Sequence, residues 1–157
     1  MTNSTNQDSD LKYWVAFSLL PKLGPVRLKK IMNYFPSFKH AWQASHQELV
    51  QAGLADKVAE NILINRQQIN PDEEMKKLDR EKVSVITIKD KRYPKLLREI
   101  YAPPILLYYK GKFEPARDEF SLAVVGTRKF SSYAKQSTPQ ITQELAGAGL
   151  TIVSGLA

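Results

Sequence analysis

The chain has 157 residues, 43% hydrophobic and 25% charged, with a formal net charge of +7, a composition that fits one globular domain or two small ones. It has no cysteine and two separated histidines, His40 and His46, which excludes disulfides, thiolate chemistry and Cys-based zinc sites and makes a metal-free protein the expectation. No stretch reaches the length of a transmembrane helix and residues 1–7 are unlike a signal peptide, so a cytoplasmic protein without a membrane role is expected.

Residues 1–10 are polar and are expected to form a disordered tail. The charge is uneven: residues 11–47 hold Lys12, Lys22, Arg27, Lys29, Lys30 and Lys39 and no Asp or Glu. Such a segment suits either a polyanionic partner or a solvated basic face. Leu11, Trp14, Val15 and Leu19 form a helical stripe with Ser9 or Asp10 as N-cap and Pro21 as its end. Pro25 opens a second helix that buries Leu28, Ile31, Met32 and Phe35. The connector from Leu20 to Arg27 has the pattern of a helix-hairpin-helix turn, with Lys22 where the commoner pattern has its first glycine. Lys22, Gly24 and Arg27 are therefore a candidate secondary DNA contact, against the alternative of a structural αα-turn.

Ser37 is expected to cap a short helix carrying Ala41 and Trp42. Ser45 and Glu48 have capping-box spacing, and Gly53 is a stop. A further helix buries Val58 and Ile62, and Asn70-Pro71-Asp72 marks the start of a linking helix. Residues 11–70 thus read as a compact all-helical module, with Trp14, Trp42, Phe35 and Phe38 in its core rather than as base-stacking platforms. Beyond it, 83–88 is a strand, 89–94 a charged turn, 96–100 a short helix and 105–109 a second strand. The cluster Lys89, Lys91, Arg92, Lys95 and Arg98 is interleaved with Asp90 and Glu99, which favours a solvated face over an anion-binding track.

The segment 122–133 begins as a β-branched apolar run and passes into Gly126-Thr127-Arg128, and 150–157 repeats the plan with Ser154-Gly155. Such runs suit strands buried on both faces of a parallel sheet. Residues 135–148 suffice for a crossover helix, so the unit reads β-loop-α-β, and ligands of such sheets gather beyond the carboxyl ends of the strands. Gly126 permits close backbone approach, Thr127 and Ser131 offer hydroxyls, Arg128 a planar fork, and the helix start a positive dipole end. Neither loop is a Walker loop, and no G-x-G-x-x-G is present.

Val125-Gly126-Thr127-Arg128, Ser131-x-Tyr133 and Ile152-Val153-Ser154-Gly155-Leu156-Ala157 resemble the core of the DNA-processing protein A (DprA, also called Smf) family. Tyr93-Pro94-x-x-Leu97 and Pro103 to Gly111 are similar to its lead-in. Ala134 departs from the family, which usually has glycine there. The resemblance implies an α/β protein: an N-terminal SAM-like module over 11–70, and over 71–157 the first part of a Rossmann-like domain that in the family continues further. It implies DNA contacts at Gly126, Thr127, Arg128, Ser131, Tyr133, Lys135, Ser154 and Gly155, with no cofactor and no catalysis. It also implies a protein that protects single-stranded DNA, loads the RecA recombinase during transformation and forms a homodimer at full length. Two other readings stay open: a Rossmann-like nucleotide sensor or nucleotide hydrolase, and a helical module that docks a protein. Against hydrolysis, no acid/base pair is spaced near the two loops, and Glu144 lies on the intervening helix.

Overall fold

The computed structural model describes residues 4–114 and 120–155, with side chains from Asp10 onward; Leu156 and Ala157 of the second motif lie outside the described residues. The chain is mixed α/β and groups into two compact units, 1–111 and 112–157.

The first unit opens with five helices: α1 (Ser4–Ser18), α2 (Pro25–Tyr34), α3 (Phe38–Gln43), α4 (His46–Gln51) and α5 (Asp56–Arg66). After α6 (Pro71–Arg80) come β1 (Ser84–Thr87), α7 (Lys95–Glu99) and β2 (Leu106–Tyr109). Local chemistry sets most of these boundaries. Ser37 accepts from the His40 amide, Ser45 and Glu48 exchange both bonds of a capping box, and Asn70 accepts from the Asp72 and Glu73 amides. Gly53, at φ +86°, closes α4. The core is aromatic at its centre: Phe38 lies 4.2 Å from Trp14 and 5.3 Å from Phe17, and Phe17 meets Trp42 edge-on at 5.1 Å. Trp14 and Phe38 are buried as expected, while Trp42 and Phe35 are partly buried against the same cluster. Arg66 donates to the carbonyls of Trp42 and Ala44 at 2.7 and 2.8 Å, which satisfies the end of α3.

The structure departs from three expectations here. The tail expected over 1–10 is helical from Ser4. Asp10 does not cap its own helix: its carboxylate accepts from the amides of Phe38 and Lys39 at 3.2 and 2.8 Å and from Trp14 Nε1 at 3.0 Å. It caps α3 instead, which leaves α1 free to start earlier. The boundary expected at 70/71 also differs from the grouping of the chain. β1 and β2 pair antiparallel, Ser84 opposite Tyr109 and Thr87 opposite Leu106, and belong to the first unit. Ile105 and Leu106 enter the same apolar cluster as the helices, so burial ties this pair to them.

The turn between β1 and α7 is built on Asp90, which takes the Arg92 amide and guanidinium and accepts Arg98 Nη2 at its carbonyl. Tyr93, 2% exposed, donates its hydroxyl to the Pro104 carbonyl at 2.7 Å. Arg92 and Arg98 therefore hold the turn.

The second unit contains β3 (Ser121–Ala123), α8 (Ser132–Gly147) and β4 (Thr151–Val153). β3 and β4 are parallel, Ser121 opposite Thr151 and Ala123 opposite Val153, with α8 as the crossover. The expectation that these strands are buried on both faces is not met. All three β3 residues are exposed, because among the described residues a single helix and a single partner strand accompany them. α8 also contains Pro139 in its interior, where the ring removes the donor that the Lys135 carbonyl would otherwise receive.

Candidate nucleic-acid interface

The two loops singled out in the sequence meet at the carboxyl ends of β3 and β4. The Val124 amide donates to the Val153 carbonyl at 2.8 Å and extends the ladder by one step. Ser154 Oγ then donates back to the Val124 carbonyl at 3.1 Å, so Gly126 begins its loop beside Ser154-Gly155. Parallel pairing, which puts both carboxyl ends on one edge, is the cause.

Within the first loop, Thr127 Oγ1 accepts from the Lys129 amide at 3.2 Å and Ser131 Oγ accepts from the Ala134 amide at 3.2 Å, as the N-cap of α8. Each hydroxyl uses an oxygen lone pair and keeps its O–H to offer an anion. Ser154 uses its O–H on Val124, which leaves the Ser154-Gly155 backbone as the contact on that side. Gly126 has a negative φ, and a Cβ built on it meets nothing within 4 Å, as is also true of Gly155. Among the described residues nothing demands glycine at either position, and the space there is open.

Arg128, Lys129, Tyr133 and Lys135 are exposed, Tyr133 at 78%. From Phe120 to Gln143 the sequence carries these three cations and no acid; Glu144 lies late on α8, bonded to Gln140. The loop and the first turn of α8 thus carry three exposed cations with no acid between them. Ala134 lies inside α8 without a positive φ, so the backbone there does not call for glycine. Lys129 follows Arg128 directly and adds its charge to the loop, with no signal in the sequence beyond that position.

The secondary candidates lie in the first unit. Lys22 sits in the left-handed region at φ +62°, the conformation that explains glycine at this place in the commoner hairpin. Arg27 donates to the Lys22 carbonyl and holds that turn. Gly24 is the N-cap of α2 and supplies no side-chain bond. Among the described residues no cluster of His, Asp or Glu could hold a metal ion, and no helix is long and apolar enough to cross a membrane.

A profile of the DNA recombination-mediator protein A family matches residues 84–157. Protein Smf of Synechocystis sp. is 34% identical over 154 residues, 96% of this chain and 39% of that protein. Protein Smf of Borreliella burgdorferi is 40% identical over 82 residues, 52% of this chain and 26% of its own. DNA processing protein DprA of Bacillus subtilis is 39% identical over 75 residues, 48% of this chain and 25% of its own. The chain therefore spans well under half the length of these relatives, and no solved structure matches it. With the Gly126-Thr127-Arg128 loop inside the matched region and the Synechocystis match running almost end to end, the chain belongs to the DNA-processing protein A (DprA/Smf) family.

Proposed function

We propose that the protein binds single-stranded DNA along the edge formed by Gly126-Thr127-Arg128 and Ser154-Gly155, protects it, and delivers it to the RecA recombinase in the cytoplasm without turning over a substrate. The observation that carries this is the hydrogen bond from Ser154 to Val124, which brings a two-hydroxyl, arginine-bearing loop and a second glycine loop to one open edge. Arg128 grips a phosphate bidentately, Thr127 and Ser131 donate to its neighbours, and Lys129 and Lys135 supply field. Tyr133, exposed at the first turn of α8, offers a base its ring to stack on. The names of the family and of the Bacillus relative support DNA as the ligand and recombination as the setting. A homodimer of the full-length protein belongs to the same reading.

The test is RecA filament assembly on single-stranded DNA with and without the protein. Assembly that quickens with the protein, together with a preference for single over double strands, supports the reading. Equal affinity for both forms and no effect on assembly would refute it. Gly126→Ala adds a test of close approach: because its Cβ meets no protein atom, the variant folds as the parent does while its phosphate contact weakens.

A further inference from the structure

We infer that the N-terminal body carries a second contact for single-stranded nucleic acid, in the groove where Pro25, Val26 and Lys29 face Tyr101, Ala102 and Pro103, one base stacking on Tyr101 and the adjacent phosphate meeting Lys29. The inference rests on the reading that this protein binds single-stranded DNA and extends it to a surface outside the matched loops.

The first observation is Tyr101. It is 96% exposed, and Val26 across the groove is 52% exposed. An aromatic ring ordinarily accounts for roughly 150–250 Å² of burial, and here that area is left in water. The ring makes no hydrogen bond or ring contact among the described residues, and the neighbouring Pro103 is buried and fixes the loop beneath it.

The second observation is charge. No acidic residue lines the groove, and Lys29 makes no ion pair or hydrogen bond among the described residues. Two neighbouring cations are occupied: Arg27 is tied to the Lys22 carbonyl, and Lys30 donates to the Gly53 carbonyl at 2.7 Å. Lys29 has no such partner among the described residues, and it is the cation that lines the groove with the ring. It lies in the run 11–47, which contains six cations and no acid.

The third observation is size. The groove holds about 190 Å³ and is open along one side, below the roughly 300–1,000 Å³ of a site that encloses a small molecule. It fits one unit of an extended ligand. A nucleotide supplies what the groove presents, a flat π-face for the ring and a negative charge on the phosphate across the sugar. An acidic peptide satisfies Lys29 and leaves Tyr101 without a matching surface, so nucleic acid is the occupant the pairing favours.

The test uses the full chain, labelled oligo-dT over a salt series, and photo-crosslinking with 5-iodouracil in the oligonucleotide. The expected result is a crosslink at Tyr101 and an affinity about 5-fold or more weaker in Tyr101→Ala, with Tyr101→Phe close to the parent because the stack is kept. Lys29→Ala should flatten the slope of log K against log salt by about 0.7. Both side chains are exposed, so thermal melts matching the parent's accompany these effects. Parent-like binding by Tyr101→Ala, with crosslinks confined to 126–135 and loss of binding in Arg128→Ala, would overturn this inference and leave the main site standing. A parent that binds no single strands overturns both. Saturable binding of a polyglutamate peptide with oligonucleotide binding unaltered by Tyr101→Ala would overturn it in favour of an acidic protein partner.

Discussion

Ser154 reaches across the ends of two parallel strands to donate its hydroxyl to the Val124 carbonyl at 3.1 Å. The bond joins the residue before one glycine to the residue two positions before the other, so it sets the spacing of the two loops. Ser154→Ala removes the bond and leaves an exposed carbonyl that water can satisfy. The expected cost is about 0.5–1.5 kcal/mol in single-stranded DNA affinity, seen by fluorescence anisotropy, with far-UV circular dichroism unchanged. Affinity equal to the parent's would mean that the loops hold their positions without it.

Asp10 joins α1 to α3 by capping a helix that begins twenty-eight residues later, at Phe38. Asp10→Ala strips the Phe38 and Lys39 amides and Trp14 Nε1 of their acceptor at once. A loss of about 1–2 kcal/mol in urea unfolding is expected. Asp10→Asn keeps one acceptor oxygen and should fall between the two.

The sequence made the locally determined features legible. The Ser45-Glu48 box, the Asn70 cap and the Pro25 helix start each depend on residues within a few positions, and each is found where its signal lies. The loops of the candidate site were legible for a similar reason, since a β-branched run followed by Gly-Thr-Arg marks its own strand end. What could not be read was set by distant partners. Ser9 or Asp10 reads as the cap of α1 from neighbouring residues alone, whereas the amides that Asp10 accepts from lie on α3. The strand over 84–87 looked like the start of the later sheet, because only its pairing with β2 and the burial of Leu106 assign it to the helical body. The groove at Tyr101 was invisible, as neither the exposure of that ring nor the nearness of Lys29 has a local signature.

Lys22 occupies a conformation that glycine adopts without cost. Lys22→Gly relieves roughly 1–2 kcal/mol of left-handed backbone strain and gives back roughly 0.5–1 through a more flexible unfolded chain. A net gain of about 0.5–1 kcal/mol in chemical denaturation is expected. A loss would show that Lys22 contributes packing that the Arg27 bond to its carbonyl does not replace.

Asp90 governs the acid side of stability at the turn after β1. The Arg92 guanidinium, followed by the Arg92 amide, holds its carboxyl below the usual carboxylate range. Because the folded value is depressed, the ionised form favours the fold. Its contribution is complete above the ordinary carboxylate range and is lost as pH falls through the depressed value. Asp90→Asn should therefore be less stable than the parent at neutral pH, and the difference should shrink as the parent is acidified. A difference that stays constant from neutral to acid pH would place the effect in the amide bonds rather than the charge.

The most direct test of the account is single-stranded DNA binding by the parent and by Arg128→Ala across a salt series. The account predicts a loss of about 1–3 kcal/mol and a slope flatter by about 0.7, the signature of one phosphate released from an exposed guanidinium. Unchanged affinity and slope in Arg128→Ala would contradict it and take the DNA away from the Gly126-Thr127-Arg128 loop.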